Sequence, residues 1–134
     1  MMKNLTPTEL SRLAEERLID AKTLFEAERY DGAFYICGYA LEMALKSRVC
    51  HSLNWDEYPG NGKDGYKSFR THKFDDLLHL SGVEKEIRAK LMSEWSIVMK
   101  WDPEIRYSSE KQKKEDVKLM IESTETLSRK LCTH

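Results

Sequence analysis

The stretch that decides the fold is ERYDGAFYICGYALEMALKSR, residues 28–48. Between Ala33 and Leu45 it is apolar on every side of a helix, with Glu42 as its one acidic residue. A helix that is apolar all round is normally buried all round. The sequence therefore predicts a central helix that is shielded from water on two flanks. Its own bundle covers one flank, and the long loop that follows it or a second subunit covers the other.

An amphipathic helix is predicted before this stretch. The tetrapeptide TPTE places Thr6 at the N-cap, Pro7 at the first helical position and Glu9 where a capping box requires it. Apolar residues then recur at three- and four-residue steps over about five turns, which places them on one helical face. These residues are Leu10, Leu13, Ala14, Leu18, Ala21, Leu24 and Phe25.

The central helix has predictable limits. Asp31 and Gly32 interrupt the preceding pattern, so we expect the helix to run from there to about His51 or Leu53. The segment that follows, NWDEYPGNGKDGYKSFR, is rich in glycine and contains a proline. It predicts a long loop over residues 54–70.

Two further helices are expected after the loop. THKFDDLLHLSG predicts a short helix with Thr71 as its cap and Gly82 near its end. The third long helix opens with SGVE, in which Ser81 and Glu84 match a capping box. Its inward residues are Ile87, Leu91, Trp95, Val98 and Met99. Pro103 is expected to end it.

A fourth long helix completes the pattern, with Ser109 and Gln112 as its predicted start. Its inward stripe is Val117, Met120, Ile121, Thr124, Leu127 and Leu131. Four long helices with one-sided stripes predict an all-α fold, an up-down antiparallel four-helix bundle with an extra short helix after a long loop. We expect one domain over residues 1–134, and a homodimer through helices two and three.

Composition and cysteine count narrow the class of protein. Lys plus Arg total 22 against 23 Asp plus Glu, so the net charge of -1 gives no general attraction to nucleic acid. Cys37, Cys50 and Cys132 include no C-x-x-C pair, which argues against a disulfide scaffold or a zinc site. The N-terminus lacks the apolar core of a signal peptide, and no apolar run is long enough to span a bilayer. We expect a soluble, cytoplasmic protein without membrane contact.

Motifs for cofactors and metals are missing from the sequence. There is no glycine-rich phosphate loop, no nucleophile elbow and no carboxylate cluster typical of a metal site, so we expect no cofactor and no metal. His51, His72 and His79 lack the paired spacing of a zinc site. His72 or His79 could still supply a base once the chain is folded.

Three stretches carry a resemblance to a known family: ERYDGAFYICGYALEMALKS, THKFDDLLHL and WDPEIRY. Together they resemble the HEPN domain (higher eukaryotes and prokaryotes nucleotide-binding), over most of the chain. The resemblance implies an all-α bundle that dimerises, often in the cytoplasm, in toxin–antitoxin, phage-defence or RNA-processing systems. Some members of the family are metal-independent ribonucleases, and others accompany nucleotidyltransferases.

The family's nuclease motif is incomplete in this sequence. In the nuclease members an Arg, followed by a His after four to six residues, lies at the start of the last long helix. At the matching place stands Arg106 in EIRYSSEKQKK, and no histidine follows within reach. Arg129 and His134 have the spacing, but they lie at the C-terminal end, and we interpret the pair as a coincidence.

Glu42 and the residues after Pro103 are the most informative candidates. A carboxylate on an apolar helix is costly unless it is paired, so we expect Glu42 to meet a cation, with Arg106 as its first-choice partner. The planar guanidinium of Arg106 suits phosphate binding, or alternatively an ion pair that fixes the turn between two helices. Tyr107 is either a substitute for the missing base or a core aromatic.

Basic residues supply the remaining candidates. The loop mixes aromatic and basic side chains, as in surfaces that stack bases and hold phosphates, although such a loop also serves simply to cover apolar surface. Lysines ahead of the last helix add positive charge or form a solvated face. The candidate binding residues are Arg106, Tyr107, Glu42, Lys111, Lys114, Lys67 and Arg70. Arg106 and Tyr107 are also the candidate catalytic residues.

Three functional hypotheses follow. The favoured one is a HEPN-like dimer that acts as a non-catalytic partner associated with RNA or a nucleotide, beside a nucleotidyltransferase or in a toxin–antitoxin or defence system. The first alternative is a divergent, metal-independent endoribonuclease that uses Arg106 with Tyr107 or a histidine. The second alternative is a purely structural dimerisation module.

Overall fold

The computed structural model describes residues 4–59, 71–104 and 111–133, and these residues form six α-helices. The helices are α1 (Pro7–Glu26), α2 (Tyr30–Ser52), α3 (Phe74–Ser81), α4 (Glu84–Lys90), α5 (Met92–Val98) and α6 (Lys114–Cys132). The predicted all-α class is confirmed. None of these helices combines the length and the apolar character that crossing a bilayer requires.

Helix α1 begins where the capping box predicts. The Thr6 hydroxyl accepts a hydrogen bond from the Glu9 backbone N–H at 3.1 Å, and the Glu9 carboxylate accepts one from the Thr6 N–H at 3.1 Å. Pro7 occupies the first turn. The buried residues of the helix are Leu10, Ala14, Leu18 and Ala21. The predicted start and the main part of the inward stripe of α1 are therefore confirmed.

The turn between α1 and α2 lies slightly earlier than the sequence predicts. The chain reverses through Glu28, whose φ of 61° is in the left-handed region, and α2 already begins at Tyr30. Asp31 and Gly32, the predicted break, belong to the first turn of α2. The backbone N–H of Arg29 donates to the Leu24 carbonyl at 2.8 Å, which closes the end of α1, and only three residues separate α1 from α2.

Helix α2 is the buried centre of the fold, as its composition predicts. It packs against α1 and α6, and the Cys37 thiol donates to the Met120 carbonyl of α6 at 3.7 Å. Its opposite flank is covered by α3 and by the buried side chains of Tyr58 and Trp101. The cover for the second flank of α2 thus comes from the same chain, and the homodimer remains a prediction.

Helix α3 matches the predicted short helix, with a different N-cap. Lys73 is the N-cap residue, while the Thr71 hydroxyl accepts from the Lys73 N–H and donates to Asp76, each at 3.0 Å. Thr71 therefore organises the turn that enters α3 without capping it. Gly82 has the left-handed φ of 78° that lets the chain leave the helix, and this predicted end is confirmed.

The predicted third long helix is divided into α4 and α5. The two meet at Leu91, whose φ of -129° and ψ of 32° lie outside the helical region. The expected capping box is absent, because Val83 is the N-cap and the Ser81 hydroxyl accepts from the Val83 N–H instead. Met99 was expected to face inward but is 39% exposed.

Helix α6 carries the last inward stripe. All six predicted stripe residues are buried, and the helix begins at Lys114. Of the residues predicted to start it, Gln112 precedes the helix and Ser109 lies outside the described residues. The described residues therefore form three long and three short helices, whereas four long helices and one short helix were expected.

Candidate functional site

An aromatic cluster, defined here as Tyr39 of α2, Phe74 of α3 and Trp101 after α5, lies on one flank of α2. The Trp101 and Phe74 rings are stacked, with centroids 5.2 Å apart and an interplanar angle of 16°. The Tyr39 and Trp101 rings are nearly perpendicular, with centroids 5.4 Å apart. A Cβ atom at Gly38 would come within 1.8 Å of Trp101 Cε2, so only glycine lets the indole approach the helix this closely.

Helix α5 ends early enough for Trp101 to reach this position. The helix ends at Val98, ahead of the predicted end at Pro103, and the backbone N–H of Trp101 donates to the Val98 carbonyl at 3.0 Å. This turn directs the indole to α2. The segment from Trp101 to Glu104 then forms one wall of a cleft, and the start of α3 forms the other.

This cleft, called the α3 cleft below, has a volume of about 930 Å³. All three residues of the aromatic cluster line it, together with polar and charged residues. Its charged side chains are Lys73 and the carboxylates Asp75, Asp76, Asp102 and Glu104, with His72 beside them. The described part of the cleft is therefore rich in hydrogen-bond acceptors and repels phosphate.

Glu42 contacts His72, a residue that lines the α3 cleft, and only 1% of the surface of Glu42 is exposed. Its Oε2 atom accepts a hydrogen bond from the Lys46 ammonium at 2.9 Å and contacts His72 Nδ1 at 2.8 Å. Its Oε1 atom is buried and has no hydrogen-bond partner among the described residues. The expected cation is present as Lys46. The pairing with Arg106 stays a prediction, since Arg106 lies outside the described residues.

Lys46 connects Glu42 to the residues after α2. Its ammonium lies 5.2 Å from the centroid of the Tyr58 ring, within the range of a cation–π contact. Burial raises the pKa of Tyr58, and the neighbouring Cys50 and Glu42 raise it further, so its hydroxyl stays protonated at neutral pH. Tyr58 therefore contributes a neutral ring to this group.

His72 joins the buried carboxylate to the α3 cleft. Its side chain is 62% exposed, whereas that of Glu42 is 2% exposed. Sequence reasoning named His72 as a possible base but did not place it against Glu42, because the two residues are 30 positions apart. The Glu42–Lys46 pair did have a sequence signal, since residues four apart face each other on a helix.

The other predicted site residues are distributed differently. Lys111 lies 3.5 Å from Asp31 at the start of α2, and the exposed Lys114 begins α6. Neither residue lines the α3 cleft. The remaining predicted residues, Arg106, Tyr107, Lys67 and Arg70, lie outside the described residues. The structure thus unites Glu42 with His72 and the cleft, and the roles of the basic residues stay predictions.

A comparison with known families bears on the segment that contains Glu42. The family model for the HEPN domain matches residues 8–59, which include nearly all of α1 and the whole of α2. Residues 8–59 are therefore similar to the HEPN domain and are called the HEPN segment below. The HEPN segment contains Gly38, Glu42 and Lys46, while His72 and α3 lie beyond it. No curated protein and no solved structure gives a significant match to the chain.

Proposed function

We propose that this HEPN-like protein is a non-catalytic partner that associates with RNA or a nucleotide. The observation that carries the proposal is the HEPN match together with the sequence after Arg106, where no histidine follows until His134. Without that histidine the family's general base is missing, while the helical scaffold and its association with nucleotides remain. The proposed setting is the cytoplasm, beside a nucleotidyltransferase or in a toxin–antitoxin or defence system.

The proposed ligand contacts are divided between two sets of residues. The α3 cleft offers acceptors, which suit hydroxyl and amino groups. Phosphate contacts are assigned to basic residues: Arg70 directly precedes Thr71 in the chain, and Arg106 follows Glu104 by two positions. Lys67, Lys111 and Lys114 are proposed to extend the positive surface. Tyr107 is proposed as a stacking residue.

RNA binding measured at low salt tests this proposal. Fluorescence anisotropy with a labelled single-stranded RNA should show binding that weakens as salt is raised, because phosphate contacts release counterions. Arg106→Ala and Arg70→Ala should each weaken it, while Arg12→Ala, a change on exposed α1 surface, should not. If neither RNA nor nucleotides bind at low salt, the structural dimerisation module becomes the better explanation.

A second candidate function is metal-independent endoribonuclease activity. It is favoured by His72, an exposed imidazole held by a buried carboxylate, which is an arrangement suited to proton transfer. Incubation of the pure protein with mixed RNA and a chelator separates the two functions. Cleavage that survives the chelator but is lost in Arg106→Ala or His72→Ala would replace the non-catalytic proposal.

The proposed homodimer joins the outer surface of α2 to the α4–α5 region. It is supported by apolar side chains that remain partly exposed there: Ile36 and Met43 on α2, Met92 on α5, and Met99 just after it. Light scattering at micromolar concentration tests the assembly. A dimer that dissociates in Met92→Lys but not in Leu119→Lys, an exposed position on α6, would support this seam; a strictly monomeric protein would exclude it.

A further inference from the structure

We propose that His72 is the residue through which the α3 cleft recognises the ribose 2'-hydroxyl of RNA, with Glu42 as its positioning residue. This inference rests on the proposed association with RNA and specifies the ligand group that the cleft selects. Its basis is the contact of 2.8 Å between His72 Nδ1 and Glu42 Oε2, which joins an exposed ring to a buried carboxylate.

The carboxylate fixes the hydrogen-bonding roles of the two ring nitrogens. An ionised carboxylate only accepts hydrogen bonds, so the nitrogen that contacts it must carry a proton. The Lys46 ammonium, 2.9 Å from the same Oε2 atom, already supplies the positive charge that buried Glu42 requires. With that proton on Nδ1, a neutral imidazole has an acceptor lone pair on Nε2, the ring nitrogen that does not contact Glu42.

Burial makes Glu42 a firm anchor for this ring. Its side chain is 2% exposed and lies on α2, which packs against α1, α3 and α6, so the acceptor position cannot drift as a surface carboxylate can. His79 provides the contrast: its Nδ1 lies 3.3 Å from Glu84, and the two side chains are 80% and 33% exposed. Only His72 of these two is held from the protein interior.

The surroundings of His72 restrict the group that it can accept. The same cleft is lined by Lys73 and by the carboxylates of Asp75, Asp76, Asp102 and Glu104. Because negative charge is in excess among these side chains, a phosphate oxygen is disfavoured while a neutral donor is favoured. Among the sugar and phosphate groups of RNA, the 2'-hydroxyl is such a donor, and it is also the group that DNA lacks. An acceptor at Nε2 therefore predicts a preference for RNA over DNA of the same sequence.

Matched oligonucleotides test the recognition step. Anisotropy with single-stranded RNA and DNA of one sequence should show RNA preferred by about 3- to 10-fold, the value of one net hydrogen bond. In His72→Asn the shorter amide can still donate to Glu42 but has no group at the position of Nε2. RNA affinity should fall to that of DNA, DNA affinity should stay unchanged, and the control His79→Asn should keep the wild-type preference.

Nitrogen NMR of the free protein tests the positioning step without any ligand. At pH 8 the His72 ring should show a protonated Nδ1 and an unprotonated Nε2, and Glu42→Gln should shift this balance. The opposite tautomer in the wild-type protein would overturn the inference. RNA binding with an unchanged preference in His72→Asn would overturn the inference alone, whereas binding of neither nucleic acid would overturn the proposed function with it.

Discussion

The indole of Trp101 lies so close to the backbone of Gly38 that a Cβ atom there would approach Trp101 Cε2 to within 1.8 Å. Gly38→Ala should therefore destabilise the protein, because either the α2 backbone or the stacked indole must move. We expect a loss of about 2–3 kcal/mol by urea denaturation, within the usual range for overpacking and despite a helix-propensity gain of about 1 kcal/mol.

Gly32→Ala is the matched control for this change. A Cβ atom at Gly32 would meet Leu24 Cδ1 at 3.6 Å, which is an ordinary van der Waals contact. The same substitution on the same helix should therefore be neutral or stabilise the protein by up to about 1 kcal/mol. Equal losses at the two glycines would show that the close approach of Trp101 is not the cause.

Glu42→Gln should destabilise the fold while leaving its volume unchanged. The substitution removes the charge that partners Lys46, whose side chain is only 13% exposed, and weakens the contact with His72. We expect a loss of about 1–3 kcal/mol by chemical denaturation, as for other buried polar groups that lose a partner. The control Glu15→Gln changes an exposed carboxylate on α1 and should have little effect. Unaltered stability in Glu42→Gln would mean that the carboxylate is not buried as described.

The features that sequence reasoning identified are those encoded locally. The α1 capping box depends on Thr6 and Glu9, three residues apart, and the burial of α2 follows from its own composition. The break at Leu91 was missed because neither glycine nor proline marks it. The contact between Glu42 and His72 depends on how α3 packs against α2, and no periodicity along the chain encodes that packing.

The three thiols should differ in their reactivity. Burial raises the pKa of Cys37 to about 12, and burial also raises the pKa of Cys50 to about 11, whereas Cys132 is only half-buried. Because the thiolate is the reactive form, both raised values keep Cys37 and Cys50 protonated at pH 8. Iodoacetamide followed by mass spectrometry should label Cys132 first in the native protein and all three cysteines after unfolding. Native labelling of Cys50 as fast as Cys132 would contradict its burial.

The ion pair between Glu86 of α4 and Lys130 of α6 should make the free energy of unfolding depend on pH in the acidic range. A hydrogen bond from Lys130, at 2.6 Å, holds the pKa of Glu86 below its ordinary value of 4.5, with a smaller contribution from Lys90. A lowered pKa means that this stabilisation is fully present above about pH 4.5 and is lost as the pH falls through the folded-state value.

Lys130→Met tests this dependence by urea denaturation across pH. The variant should be less stable than the wild type at pH 7, and the difference should shrink once acid protonates Glu86. Lys118→Met, which alters an exposed lysine of the same helix, should show no such convergence. A difference that stays constant from pH 7 into acid would assign the effect of Lys130 to packing.

The backbone bridge between Leu5 and Tyr58 can be used to follow the opening of the α1–α2 hairpin. The Tyr58 amide donates to the Leu5 carbonyl at 2.8 Å; Leu5 precedes α1 in the chain, and Tyr58 follows α2. Their backbones can meet only after the whole helical hairpin has closed, which carries a loop-closure cost. The rate of deuterium uptake at the Tyr58 amide therefore reports whether the two ends of the HEPN segment are joined or have separated, and the measurement needs no attached label.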